Sequence, residues 1–394
     1  MASAKPRILV AHPAVRSIGG GNLVAAWTLQ ALRQEFDVTL ATLEPPDYAA
    51  LNLNFGTSLR EGDFEVRVAP PPYQRLLRGF PAQGALLEIC LIMRWAQNLD
   101  REAPYDVLFS TSNEMDFHRR GVQYVHYPWF FFPRPEMDVR WFHRIPGVLR
   151  IYRRSCMALA RANPSGLRQN LMLANSRFVV GQIRQAHGAS AQVVYPPVPG
   201  DFVERPLEQR RVAVAAVGRI HPSKRWDVAV DIVQSVRQRG HDVELTLIGH
   251  CDDPAYEARM EAMAATLPWF RWLRDLSRAQ LLDELSRHRY GIHTMVEEHF
   301  GIAPAELQRA GCITFVHNSG GPVEIVGGDP RLTFESVDEG AERIARVIES
   351  PALEHELRGQ VAERKNWFGT DTFCDSVRKA VAQFAQKSVK SAGA

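Results

Sequence analysis

An α/β architecture of two doubly wound, Rossmann-like domains is predicted by three observations. Strand-like and helix-like segments alternate along nearly the whole chain, and repeated βα units build parallel sheets with helices on both faces. The pattern starts afresh at Val212, after Pro196-Pro197-Val198-Pro199-Gly200, a run that continues neither a helix nor a central strand. The 394 residues suffice for two domains, each with its own core. The expected divisions are an N-terminal domain over 1–198, a C-terminal domain over 199–370, and a final helical segment over 371–394 with its pattern clearest from Thr372 to Lys387.

In the first half, Pro6-Arg7-Ile8-Leu9-Val10-Ala11-His12-Pro13 reads as a strand over Ile8–His12. Ile18-Gly19-Gly20-Gly21-Asn22 follows, then a helical pattern from Leu23 to Leu32. Strand, glycine loop and helix form a phosphate cradle, so Gly19, Gly20 and Gly21 are candidate binding positions. A plain βα turn is the alternative. The run is not a Gly-x-Gly-x-x-Gly fingerprint, which counts against a dinucleotide site and a dehydrogenase. Further strands are expected at Val38–Leu43, Val107–Thr111, Gln123–His126, Leu171–Ala174 and Val193–Tyr195. His126 ends one of them, in Val125-His126-Tyr127-Pro128. It is either a site histidine or a residue that closes a strand.

The second half offers strands at Val212–Val217, Val243–Ile248, Phe270–Leu273, Gly291–Thr294, Ile313–Phe315 and Leu332–Phe334. The valine-rich first of these reads as a buried strand. It ends in Gly218, and Arg219 and Lys224 lie in the loop before a helical pattern from about Trp226. Ligands of open α/β sheets bind just beyond the carboxyl ends of the strands. Two cations there suit a diphosphate that gains charge as a bond breaks. The densest signal is Glu297-Glu298-His299-Phe300-Gly301-Ile302-Ala303-Pro304-Ala305-Glu306, followed by Gly311 and Asn318-Ser319-Gly320-Gly321-Pro322. Glu298 and Glu306 bracket a glycine turn that opens a helix. The helix N-terminus exposes unpaired N–H groups suited to a diphosphate. Gly301 lets a ligand approach the backbone, and Pro304 costs nothing in the first turn. Carboxylates accept hydrogen bonds from sugar hydroxyls, although Glu306 could equally be a complement to the helix dipole.

Together these segments resemble glycosyltransferase family 4, whose pattern is a strand ending Gly-Arg, a Lys about one turn on, and later Glu-x-Phe-Gly-x-x-x-x-Glu. Here these are Gly218-Arg219, Lys224, and Glu298 through Glu306. His12-Pro13, the glycine triplet, His126-Tyr127-Pro128 and His317-Asn318-Ser319-Gly320-Gly321-Pro322 look like the branch that includes lipid-linked-oligosaccharide mannosyltransferases. The resemblance implies a GT-B fold, two domains facing across a cleft, with the last helix crossing back onto the first domain. It implies retaining transfer of a sugar from a UDP-sugar or GDP-mannose to a saccharide or polyprenyl-pyrophosphate-linked acceptor. Arg219 and Lys224 would stabilise the departing diphosphate, with Phe300, Gly301 and Ile302 beside it. Glu298 would hold the donor sugar, Glu306 the ribose, and Leu276 the base through its backbone. Gly19 to Gly21 would close over the phosphates, and His126 would position the sugar or its acceptor. A same-fold epimerase or phosphorylase, or a non-catalytic nucleotide-sugar-binding or membrane-associated subunit, stays open.

Composition bounds partners and compartment. The net charge of +3 is modest, and no nucleic-acid module is recognised. The five cysteines are scattered, with no Cys-x-x-Cys pair, which suits reduced thiols in the cytoplasm. The N-terminus leads straight into a strand, so no signal peptide is expected, and no apolar run is long enough to span a bilayer. No Asp-x-Asp triplet occurs, so neither a metal nor any cofactor beyond the donor is expected. Charge is uneven, however. No acidic residue lies between Asp138 and Asp201, while nine arginines do. Trp141, Phe142, Ile145, Leu149, Ile151 and Tyr152 interleave with the first of these, and Trp129-Phe130-Phe131-Phe132-Pro133 precedes them. Residues 139–185 therefore read as contact with an anionic membrane surface or a pyrophosphate-lipid acceptor, against the alternative of a solvated helix face. The expected location is cytoplasmic, with peripheral attachment to the inner face of a membrane.

Overall fold

The computed structural model describes residues 5–78, 85–128, 130, 145, 147–251 and 253–392. Two compact units emerge, one of residues 1–197 with 370–394 and one of residues 198–369.

The first unit carries strands β1 (Arg7–Ala11), β2 (Asp37–Thr42), β3 (Glu65–Val68), β4 (Val107–Ser110), β5 (Val122–Val125), β6 (Leu171–Ala174) and β7 (Gln192–Val193). Among the described residues they form one parallel sheet in the order β3-β2-β1-β4-β5-β6-β7. β1 is central, with Ile8 opposite both Val38 and Val107. Ile8 to Ala11 are fully buried, as a strand covered on both faces must be, and this is why its sequence is an unbroken apolar run. The chain order reverses between β1 and β4, so a crevice opens beyond their carboxyl ends. His12 and Thr111 are the residues that emerge there. The helix Thr370–Ala392 belongs to this unit. It packs on the helix Gly20–Leu32: Arg378 reaches Glu35 at 3.4 Å and the carbonyl of Ala31 at 3.5 Å. Phe373 sets its ring edge-on against Tyr124, centroids 6.4 Å apart.

The second unit carries β8 (Arg211–Val217), β9 (Glu244–Ile248), β10 (Phe270–Leu273), β11 (His288–His293), β12 (Ile313–His317) and β13 (Thr333–Phe334). These are also parallel, in the order β10-β9-β8-β11-β12-β13. The switch point lies between β8 and β11. Gly218-Arg219 leaves one strand and Thr294 to Glu298 leave the other, so the two densest sequence motifs converge on the crevice.

Three expectations need correction. β3 is absent from the predicted strands. It is a four-residue edge strand with Glu65 exposed and the rest half-buried, so it lacks the apolar run of a central strand. β11 begins at His288 rather than Gly291, because His288 is satisfied inside the fold by the Glu284 carbonyl at 2.8 Å and Thr246 Oγ1 at 2.9 Å. The helix after β1 begins at Gly20, so Gly20 and Gly21 form its first turn and not a loop. Gly19 makes the turn alone at φ 92°, a left-handed conformation that favours glycine.

Trp129, Phe131, Phe132, Pro133, Arg140, Trp141, Phe142 and Arg144, which open the basic and aromatic stretch, lie outside the described residues. Its described part includes the helix Val148–Leu159, where Arg150, Ile151 and Arg154 are exposed. Among the described residues, no helix is long and apolar enough to cross a membrane.

Candidate functional site

In the second unit, Lys224 closes a short 3-10 turn, Pro222–Lys224, capped by the His221 side chain. The next residue, Arg225, has φ 54°, unusual for a side chain of its size. Thr294, just past β11, holds this backbone in place. Its hydroxyl lies 2.6 Å from the Lys224 carbonyl and 2.9 Å from that of Arg225. The turn is thereby fixed to the strand that delivers Glu298. Lys224 Nζ makes a close ion pair with Glu298 Oε2 and lies 3.3 Å from Met295 Sδ. His293, 1 % exposed, brings Nε2 to 3.5 Å from the same oxygen.

Burial opposes ionisation of Glu298, but Lys224 and His293 outweigh it and hold the carboxyl well below the usual carboxylate range. His293 moves the other way: burial lowers its pKa, Lys224 adds to that, and Glu298 opposes. The site therefore presents an ionised carboxylate, an ammonium and a neutral imidazole. Neither nitrogen of His293 has a hydrogen-bond partner among the described residues.

Arg219, the second residue past β8, is exposed, and its carbonyl accepts a hydrogen bond from Trp226 Nε1 at 3.2 Å. Gly218 and Gly249 meet so closely that a Cβ on Gly249 would stand 1.9 Å from the Gly218 carbonyl oxygen. The loop after β11 folds against the glycine turn after β12. Gly321 N donates to the Glu298 carbonyl at 2.8 Å, and Glu297 N donates to Ser319 Oγ at 2.8 Å. A Cβ at Gly320 would stand 2.3 Å from the Glu298 carbonyl oxygen, which is why this turn needs glycine. Gly301, at φ 98°, then opens the helix Ile302–Arg309 with no side-chain cap. Its first N–H groups remain available to an anion. Phe300, 3 % exposed, anchors the turn edge-on against Phe368, centroids 5.7 Å apart.

Glu306 lies one turn along that helix, nearly buried, in an ion pair with Arg278. Arg278 also donates to the Pro199 carbonyl at 2.6 Å. A ligand hydroxyl at Glu306 would share the carboxylate with this guanidinium. Leu276 is half-buried against the apolar cluster containing Leu307, so its side chain serves packing and only its backbone is free for recognition.

The first unit builds a separate cluster at its own switch point. His12 joins β1 to its surroundings: Nδ1 lies 2.9 Å from Thr111 Oγ1 and Nε2 lies 2.9 Å from Asn22 Oδ1. His126 Nε2 donates to the Thr111 carbonyl at 3.1 Å, and His126 N donates to Asn113 Oδ1 at 2.7 Å. A Cβ on Gly21 would stand 3.6 Å from His126 Nε2, so the first turn of the helix passes directly over the imidazole.

Burial lowers the His12 pKa to about 4. Because the unfolded chain takes up a proton near pH 6.5 and the folded chain only near 4, stability falls as pH drops through that window. The cost approaches about 3 kcal/mol at the lower end. Denaturant unfolding at neutral pH and near pH 5 should show the loss, and His12→Gln should flatten the slope. An unchanged slope in His12→Gln would assign the pH dependence to other groups.

His293, Arg278, Thr294, His12 as a buried hydrogen-bonded residue, Asn22 and Thr111 were not singled out as site residues from the sequence. Arg278 lies two residues after Leu276, and His293 lies within a predicted strand, but partners far away in the chain give each its meaning.

Two parallel-sheet units of this kind are the GT-B fold, and residues 201–364 match the family model "Glycosyl transferases group 1". This segment, which is similar to that family, holds Arg219, Lys224, Glu298 and Glu306. Among individual relatives, the chain is 28 % identical over 220 residues to the Mus musculus GDP-Man:Man(3)GlcNAc(2)-PP-Dol alpha-1,2-mannosyltransferase, covering 50 % of this chain and 44 % of that one. The chain spans about half the length of the curated relatives it matches. In structure it resembles Anabaena HepE, solved with UDP-glucose, with a TM-score of 0.63 at 16 % identity over 96 % of this chain and 100 % of that one. It also resembles WaaG, a glycosyltransferase involved in lipopolysaccharide biosynthesis, with a TM-score of 0.62 at 14 % identity over 96 % and 99 % of the chains.

Proposed function

We propose that this chain transfers a hexosyl group from a nucleotide diphosphate sugar to a saccharide or polyprenyl-pyrophosphate-linked acceptor in glycan assembly, with retention and in the manner of family 4. The observation that carries the reading is the Lys224–Glu298 pair beside the uncapped N-terminus at Gly301. The bond from the anomeric carbon to the diphosphate oxygen breaks with its electron pair going to the diphosphate. Lys224, Arg219 and the N–H groups around Ile302 are fixed where that negative charge grows, so they act on the transition state more than on the ground state. Glu298, kept ionised, accepts hydrogen bonds from donor-sugar hydroxyls, and Glu306 does the same for the ribose. In the first unit, His126 is assigned to positioning the sugar or its acceptor, and Gly19, Gly20 and Gly21 to phosphate contact. GDP-mannose is the first donor to test, given the named relatives, with UDP-sugars beside it.

A panel of nucleotide sugars should raise the thermal midpoint with one donor class, and Glu306→Ala should lose the shift. At a hundred times its dissociation constant the donor adds about 2.7 kcal/mol. No shift with any donor would sink the donor site. Turnover is expected to persist in a chelator, because cationic side chains and the helix terminus carry the electrostatic work. Abolition by chelator would overturn metal independence, and product of inverted anomeric configuration would overturn retention.

The described part of the basic stretch supports a peripheral membrane role. Ile151 is 65 % exposed between Arg150 and Arg154, an arrangement suited to an anionic interface. Each such arginine contributes about 1 kcal/mol near anionic lipid. Flotation with phosphatidylserine vesicles should fall in Arg150→Glu/Arg154→Glu. Equal flotation of wild type and variant would count against the membrane surface.

A further inference from the structure

β11 ends in His293, which is 1 % exposed, and neither ring nitrogen has a hydrogen-bond partner among the described residues. A buried imidazole is ordinarily satisfied, because an unpaired one forfeits its hydration with nothing in return. Its Nε2 stands 3.5 Å from Glu298 Oε2, just beyond hydrogen-bond length. That oxygen is the one Lys224 already holds in a close ion pair. Two donors therefore converge on one carboxylate oxygen, one engaged and the other a short step away. The imidazole, kept neutral by its burial, has one N–H to give.

The Lys224–Glu298 pair stands in the way of an incoming diphosphate. While Glu298 holds Lys224, its negative charge offsets that of the ammonium, and the diphosphate meets little net charge. If Lys224 turns to the diphosphate instead, a largely buried carboxylate is left without its counter-charge, which is strongly unfavourable. Side-chain exposures of 17 % for Lys224 and 18 % for Glu298 leave little water to take over. His293 removes the conflict. Its ring is closed off from any ligand, so it acts only from behind Glu298. Thr294, the next residue, is anchored to the carbonyls of Lys224 and Arg225, so the backbone stays fixed while the side chains exchange partners.

We propose that His293 is a positioning residue that takes over Glu298 Oε2, by donating Nε2–H, when Lys224 turns to the diphosphate of a bound nucleotide. The closure required is about 0.5 Å, from 3.5 Å to an ordinary N–H···O length of about 3.0 Å. This role rests on the donor reading above, in which Lys224 meets that diphosphate.

Calorimetric titration of the full chain with GDP and with UDP tests the handover in a double-mutant cycle. His293→Leu removes the donor and should weaken the nucleotide that binds by about tenfold, a coupling expected of side chains that share a partner. In Lys224→Ala no ammonium needs releasing, so adding His293→Leu should cost no further affinity. His293→Gln places an amide N–H near the position of Nε2 and should restore most of the affinity. A purely structural role would weaken binding equally in both backgrounds. Equal losses in the two backgrounds, or wild-type affinity in folded His293→Leu, overturn the handover and leave the donor reading standing. Failure of both nucleotides to bind the wild type, or wild-type affinity in Lys224→Ala, overturns the donor reading and the handover with it. Circular dichroism establishes that each variant is folded. If His293→Leu does not fold, NMR of isotope-labelled histidine in the wild type decides. The His293 Nε2 resonance, identified by its loss in His293→Gln, should move to a hydrogen-bonded value at saturating nucleotide, and an unmoved resonance overturns the handover.

Discussion

On the proposed transfer, Lys224→Ala is expected to lower kcat/KM by about 10²–10³-fold, the usual loss when one preorganised donor to a developing anion is removed. The ammonium is held on two sides. Thr294 fixes its backbone and Glu298 fixes its head, so little reorganisation is needed as the leaving group gains charge. The substitution has a second consequence. Glu298 is kept ionised against its own burial chiefly by Lys224, so its pKa rises in the variant and the acid limb of the pH–rate profile moves upward. For stability, a carboxyl whose folded pKa lies below its unfolded value of about 4.3 contributes above that pH and loses its contribution as pH falls through the folded pKa. Lys224→Ala therefore destabilises most at neutral pH and least in strong acid. Adding Glu298→Gln should restore part of the lost stability, because the orphaned charge is then gone. Wild-type kcat/KM in Lys224→Ala would remove this residue from the leaving-group role.

Trp226→Ala lowers stability by about 3–5 kcal/mol, the range for truncating a buried large aromatic. Trp226 is 1 % exposed and begins the helix after β8, in the main core of the second unit. Its ring would stand 3.3 Å from a Cβ on Gly218, and its N–H holds the Arg219 carbonyl. The cavity left by alanine thus borders the loop that presents Arg219, and donor binding should weaken along with folding. Trp226→Phe separates the two effects. It keeps most of the ring but loses the hydrogen bond, for about 1 kcal/mol. Denaturant unfolding followed by circular dichroism measures both, and a Trp226→Ala midpoint equal to wild type would refute the packing argument.

The central strands and the candidate motifs were legible because their signals are local. A strand buried on both faces must be apolar at every position, and Ala213 to Val217, all buried, shows that directly. A helix opened by glycine after a strand must present its N–H groups at the crevice, and Phe300-Gly301-Ile302 shows that too. The edge strand β3 was not legible, because a strand exposed on one side has no continuous apolar run. The first turn at Gly20 was not legible either, because glycine is read as a breaker unless its neighbours commit it to a helix.

By itself, the sequence determined two parallel α/β units and which carboxylates and cations stand at the strand ends of the second, since each follows from residue type and periodicity. Only the tertiary structure decided how those charges are used. It set Lys224 against Glu298, Arg278 against Glu306, and His12 between Thr111 and Asn22. Pairing, burial and pKa depend on distances between residues remote in the chain, and hydrophobic periodicity carries no record of which charge meets which.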